Sequence, residues 1–187
     1  MREKITIRIG EYHASRTPCV IDTILGSCVA VCLFDPVMRI GGMNHIFLPG
    51  RADTSRFNEP ARYGVNAMEL LINRMMKLGA VKKQMIAKVF GGGHLFGEVK
   101  GYPPIGKQIA EFARCFLKNE QIHIASRDLG GAFGRKVFLH SDTGDVFMKR
   151  IPSLRHNMEK AIQKQRMKII GKAIEKPGEI TIFSTAI

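Results

Sequence analysis

The 187-residue chain has no tryptophan and only three tyrosines, and it carries no aromatic-rich run. Single-stranded nucleic acids are held largely by bases stacked on aromatic rings, and no recognised nucleic-acid module is present, so a nucleic-acid partner is not expected. Long hydrophobic runs are missing too. A membrane-spanning helix needs about 18 apolar residues. The longest run here, Val29 to Phe34, is closed by Asp35 and Pro36. Membrane insertion is therefore not expected. Met1-Arg2-Glu3-Lys4 leads into an alternating segment without the apolar core of a secretory leader, which makes a cytoplasmic address the expectation.

Cysteine is scarce. In a reducing compartment Cys19, Cys28, Cys32 and Cys115 are packing residues or chemistry, not disulfides. Cys28 and Cys32 have no second Cys/His pair close by, and His94, His123, His140 and His156 are scattered, so no metal is expected. The run Gly91-Gly92-Gly93-His94 lacks both the Lys-Ser/Thr of a P-loop and dinucleotide-fingerprint spacing; it reads as a tight strand-end turn, and no cofactor is expected. Acidic residues are few as well. Sixteen Asp and Glu face 29 Lys and Arg, giving a formal net charge of +13, which favours acidic partners. The segment from Arg150 onward holds eight basic residues against three acidic ones, a local net charge of +5.

What is present suits one folded domain, with 45% hydrophobic and 24% charged residues excluding a disordered or collagen-like chain. Residues 1–152 are expected to form that domain and 153–187 a basic extension, helical over 157–170 and broken at Pro177-Gly178. Alternation of Ile5, Ile7 and Ile9 with polar residues predicts an opening strand. Val29 to Phe34 predicts a strand covered on both faces, and the Asp35-Pro36-Val37-Met38 turn a hairpin to Ile40–Leu48. The polar stretch Gly50 to Pro60 predicts a surface loop. Apolar spacing predicts helices over 61–78 and 105–117. Further strands are predicted at 84–90, 121–126, 136–140 and 145–149. The order β, β, β, α, β, α, β, β, β implies an α/β layered domain with a mixed sheet.

Cys28 follows Leu25-Gly26-Ser27, where a sharp bend could expose a sulfur and aim consecutive N–H groups at one point, as an oxyanion hole requires. If the hairpin turns about Pro36 and Val37, Cys32 stands opposite Gly41 and Cys28 opposite His45. Their Cβ atoms would then be about 4.5–5.5 Å apart, close enough for thiol-imidazole chemistry. The plain alternatives are a small buried hydrophobe at Cys28 and a core histidine bonded to a carbonyl at His45. Thr23 and Asp22 are the nearby polar groups that could orient the imidazole. Cys19, Cys32 and Cys115 read as structural. Arg135, between glycine-marked turns, reads as a loop or partner contact.

Leu25-Gly26-Ser27-Cys28-Val29-Ala30-Val31, then Asp35-Pro36 and Gly41-Gly42-Met43-Asn44-His45-Ile46-Phe47-Leu48-Pro49, resembles the signature of the CheD family of chemoreceptor glutamine deamidases. Phe90-Gly91-Gly92-Gly93, Asp128-Leu129-Gly130-Gly131 and Gly134-Arg135-Lys136-Val137 extend the resemblance from about Lys4 to Lys149. It implies an α/β/α sandwich hydrolase using Cys28, His45 and Thr23, with backbone N–H groups around Gly26, Ser27 and Cys28 at the oxyanion. The implied substrate is a glutamine in the cytoplasmic region of a methyl-accepting chemotaxis receptor, and a CheC-type phosphatase is an implied second partner. The rival readings are another Cys-His amidohydrolase or peptidase, and a non-catalytic basic adaptor.

Overall fold

Because Val29-Ala30-Val31-Cys32-Leu33-Phe34 is apolar at every position, it can rest only where both faces are covered. In the computed structural model, which describes residues 2–50, 64–94 and 104–152, it forms the fully buried strand β4 (Val29–Asp35). Before it come β1 (Glu3–Thr6), β2 (Tyr12–Ser15) and β3 (Cys19–Leu25), and after it β5 (Ile40–Asn44). Then follow α1 (Gly64–Lys77), β6 (Ile86–Gly91), α2 (Ile105–Asn119), β7 (His123–Leu129), β8 (Phe133–His140) and β9 (Val146–Pro152).

The strands make two mixed sheets. One has the order β1-β3-β8-β9 and the other β2-β5-β4-β6-β7. The β1/β3 and β6/β7 pairs are parallel and the rest antiparallel. Alternation along β4 splits the core in two. Val29, Val31 and Leu33 pack with Met68, Leu71 and Met75 of α1 and Ile109 and Leu117 of α2. Ala30 and Cys32 pack instead with Ile21, Leu25, Val137 and Leu139 of the four-stranded sheet. Each fully buried Leu, Ile or Met contributes about 1.5–3 kcal/mol through apolar area removed from water. Among the described residues the layers run helices, five-stranded sheet, four-stranded sheet, the second sheet taking the outer position that an α/β/α order gives to helices.

The α/β class and mixed strand directions agree with the sequence reading; several boundaries do not. The short strand β2 was not expected, nor was Cys19–Leu25 counted as a full strand. The opening strand ends at Thr6, short of Ile9. Residues 51–63 and 153–187 lie outside the described residues, and with them most of the expected surface loop, the first residues of the expected 61–78 helix and the whole basic extension. Cys115 was expected in the apolar face of its helix, but it is exposed and its thiol points at Glu111. Cys19 and Cys32 are buried, as a structural role requires.

The hairpin register differs from expectation. Asp35 accepts hydrogen bonds at Oδ1 from the N–H groups of Val37 (2.9 Å) and Met38 (3.0 Å), and Arg39 takes a left-handed φ of 53°. The loop is therefore the four residues Pro36 to Arg39, with Asp35 paired to Ile40 and Cys32 to Met43, not to Gly41. Self-capping by the aspartate side chain moved the turn one residue along, and each cross-strand partner by two.

Candidate active site

The β4–β5 ladder runs to Cys32↔Met43 and resumes at a single bridge, Val29↔Ile46. Between them the Val31 N–H donates to the side-chain oxygen of Asn44 (3.0 Å), not to a main-chain carbonyl. The amide nitrogen of Asn44 is held in turn by the Ala67 carbonyl (3.2 Å) and the Met68 sulfur (3.3 Å). With β4 satisfied in this way, the His45 main chain bonds only to the other side. Its N–H donates to the Glu11 carbonyl and its carbonyl accepts from the Gly10 N–H, both at 3.0 Å. Asn44 was missed by the sequence reading; its signal is a carboxamide inside the apolar run before His45.

Directly opposed Cys28 and His45 were expected. In the observed register His45 stands at the position facing Ala30, and Cys28 is its diagonal neighbour. Diagonal residues lie about 7–8 Å apart at Cα, within reach of long side chains. A shift of two preserves the face, so both still point into the space between the sheets. Cys28 is buried there among Ala30, Cys32, Met43 and Leu25.

Thr23 reaches the same space from β3 of the opposite sheet. Its hydroxyl lies 2.8 Å from His45 Nδ1 and 2.8 Å from the Ile7 carbonyl. A hydroxyl has one proton and a carbonyl can only accept, so that proton goes to Ile7 and Nδ1–H must donate to Thr23. The tautomer follows from the network: Nδ1 carries the proton and Nε2 presents a lone pair. Nε2 is buried and finds no hydrogen-bond partner among the described residues. Asp22, the other candidate, points away; it accepts from Thr6 (2.6 Å) and lies near Lys4 and Lys136.

Burial sets the charge states. Loss of water pushes the Cys28 thiol up to about 11, offset in part by the residue's own N–H. Burial lowers His45 to about 4, with Glu11 opposing weakly. At neutral pH the pair therefore rests as thiol and imidazole, not as an ion pair.

The turn before Cys28 is fastened from behind. Gly93 N–H donates to the Gly26 carbonyl (2.9 Å) and Gly92 N–H to the Cys28 carbonyl (2.8 Å). Gly91 sits at φ 117°, and a Cβ there would lie 2.2 Å from the Cys28 carbonyl oxygen, so only glycine allows the approach. With both carbonyls directed to the Gly91–Gly93 run, the N–H groups of Ser27 and Cys28 have no hydrogen-bond acceptor among the described residues beyond the sulfur that Cys28 N–H touches. No cluster able to hold a metal ion occurs among the described residues.

A buried thiol and an imidazole with a free nitrogen share one face of the five-stranded sheet, and a hydroxyl of the other sheet bonds the imidazole; this α/β protein has a candidate thiol-imidazole site. Comparison with known proteins narrows this. Residues 47–150 match the family model described as CheD chemotactic sensory transduction. A protein of Shewanella oneidensis named "Probable chemoreceptor glutamine deamidase CheD 1" is 42% identical over 184 residues, covering 97% of this chain and 88% of the relative. One of Chromobacterium violaceum, named "Probable chemoreceptor glutamine deamidase CheD 2", is 39% identical over 93% of this chain and 87% of its own. One from Stenotrophomonas maltophilia is 50% identical over 135 residues, 71% of this chain and 65% of the relative. The chain belongs to the CheD family.

Proposed function

We propose that this protein is a protein-glutamine glutaminase that converts glutamine side chains of chemoreceptors to glutamate, with Cys28 as nucleophile, His45 as general base and acid, and Thr23 as the residue that orients His45. The observation that carries the reading is the Thr23–His45 contact, which leaves Nε2 unprotonated and free between the sheets. The names of the relatives supply the substrate class.

The steps follow from the resting state. His45 Nε2 accepts the Cys28 thiol proton as the sulfur attacks the carboxamide carbon, so charge separates only when the developing oxyanion can be stabilised by the N–H groups of Ser27 and Cys28. The imidazolium, held by its Nδ1–H bond to Thr23, returns that proton to the nitrogen and ammonia leaves, forming a thioester. A water deprotonated by His45 then attacks the thioester, releasing the thiol and the glutamate carboxylate. The net change is carboxamide plus water to carboxylic acid plus ammonia.

The proposed substrate region is the cytoplasmic part of the receptor, and a cytoplasmic location is proposed for this protein with it. Among the described residues no helix is long and apolar enough to cross a membrane. A CheC-type phosphatase is proposed as a second partner, competing with receptor for the same surface. Incubating the protein with a glutamine-containing receptor peptide tests the reading. Ammonia release with an intact peptide backbone is expected; backbone cleavage would assign a peptidase instead.

A further inference from the structure

Beside the turn that carries Cys28 lies a cleft of about 440 Å³ lined by Arg114, Arg127, Arg135 and Arg150 with Asp128 as its one carboxylate. The guanidiniums do not play equal parts. Arg135 is 1% exposed and held by four hydrogen bonds: Nε donates to Asp128 (2.7 Å), Nη2 to Asp128 and to the Gly130 carbonyl (2.7 Å), and Nη1 to the Phe133 carbonyl (3.4 Å). It fastens the β7–β8 turn. Arg150 also pairs with Asp128, at 2.8 Å, and lies over the Phe133 ring at 4.5 Å, yet it remains 59% exposed. Partial burial raises the Asp128 carboxyl pKa, but bonds from Arg150 and Arg135 outweigh that and hold it below its ordinary value. One carboxylate thus serves two guanidiniums, leaving exposed donors on Arg150 and on Arg127, while Arg114, among the described residues, pairs with Glu111 of its own helix.

The cleft shares a wall with the site. Gly131 accepts from the His94 N–H at 2.8 Å, and a Cβ on Gly93 would meet the Phe133 carbonyl at 2.7 Å and the Gly26 carbonyl at 3.1 Å. The Gly93 backbone therefore lies against both the Phe133 carbonyl of the cleft lining and the Gly26 carbonyl of the turn that carries Cys28. Arginine forks match carboxylates in plane and spacing, and here they are unevenly neutralised beside the reacting centre. The guanidiniums of Arg135 (4.7 Å) and Arg150 both lie over the Phe133 ring, which adds to their hold on this wall of the cleft.

We infer that Arg127, Arg150 and Arg114 form a specificity subsite that docks acidic side chains of the polypeptide flanking the target glutamine. The inference rests on the deamidase reading for the identity of that polypeptide. Long charged side chains would be steered to the cleft and would position the carboxamide at Cys28, favouring glutamines in acidic surroundings.

The test uses the full chain and two labelled peptides that share one glutamine, flanked by glutamates in the first and by uncharged serines in the second. Binding to Cys28→Ala protein and deamidation by wild type are both measured. The acidic peptide is expected to be favoured about tenfold, the size reached by two partly exposed charge pairs, and less at high salt. Arg127→Ala/Arg150→Ala should abolish the preference while leaving the serine peptide unaffected, and Arg127→Lys/Arg150→Lys should restore part of it. Lys77→Ala/Lys83→Ala, exposed residues that precede β6 at the end opposite Gly91, should preserve it. Equal handling of both peptides, an equal loss in the remote variant, or displacement by inorganic phosphate without any preference for glutamate would overturn the subsite. Deamidation that proceeds without preference leaves the enzyme reading standing and removes the subsite; preferential binding without deamidation does the reverse.

Discussion

Replacing Thr23 by Val keeps the shape of the side chain and removes its hydroxyl. Thr23 and His45 are 1% and 3% exposed, so water cannot easily replace what is lost. The change leaves the Ile7 carbonyl and the His45 Nδ1–H without partners, at about 1–3 kcal/mol each, so destabilisation of about 2–4 kcal/mol is expected after some relaxation. The chemical effect is separate. Nothing then favours the tautomer with Nε2 free, and the imidazolium formed during attack loses its acceptor, which should lower kcat by about 10²-fold or more. Thr23→Ser keeps the hydroxyl and should retain most of the activity, losing only about 1 kcal/mol for the buried methyl. The assay is ammonia release at saturating peptide, beside urea unfolding of all three proteins. A Thr23→Val protein with wild-type kcat would refute the orienting role; a Thr23→Ser protein as impaired as Thr23→Val would show that packing, not the hydrogen bond, matters.

Further outcomes follow from the same geometry. In a Cys115→Ser background, the alkylation rate of Cys28 should climb with pH toward a midpoint near about 11, because burial disfavours its thiolate; a midpoint below 7 would mean a preformed ion pair. His45 is lowered to about 4, so the unfolded chain binds a proton near pH 6.5 that the folded one refuses. Stability should be level above pH 6.5 and fall by about 3 kcal/mol toward pH 4. His13, lowered by burial and then by Arg74, adds in the same direction, so the His45→Gln variant is the reference, and an identical pH slope in both proteins would contradict the assignment. Asp35→Ala strips the acceptor from the N–H groups of Val37, Met38 and Val81 and should cost about 2–3 kcal/mol in urea unfolding; under 0.5 kcal/mol would show that the turn holds without it.

The helices and the central strand were legible because their patterns are local: apolar residues at three- and four-residue steps from Ala67 to Met75, and an unbroken apolar run at β4. That Cys28 and His45 share a face was legible because a hairpin is short enough for register to be argued, and the error of two residues left the face unchanged. The turn itself was misplaced because the decisive contact, from the Asp35 side chain to its own loop, competes with the proline preference at Pro36. Division of the strands between two sheets was out of reach. Thr23 meets His45 across the two sheets, and its place in its own sheet is set by pairings such as Thr23↔Val137, more than a hundred residues apart, which no local period encodes. Asn44 escaped for a related reason: its partners Val31, Ala67 and Met68 come from a strand and a helix on either side of it in the chain.

The central claim is that Cys28 carries out glutamine deamidation on a chemoreceptor. Mass spectrometry of a receptor cytoplasmic fragment, incubated with wild-type protein or with Cys28→Ala, tests it most directly. With wild type, specific glutamine-containing peptides should gain the mass of an NH₂-to-OH exchange, with the backbone intact; with Cys28→Ala they should stay unchanged, while that variant unfolds as cooperatively as wild type. The same mass gain with Cys28→Ala, or none with either protein, would contradict the account.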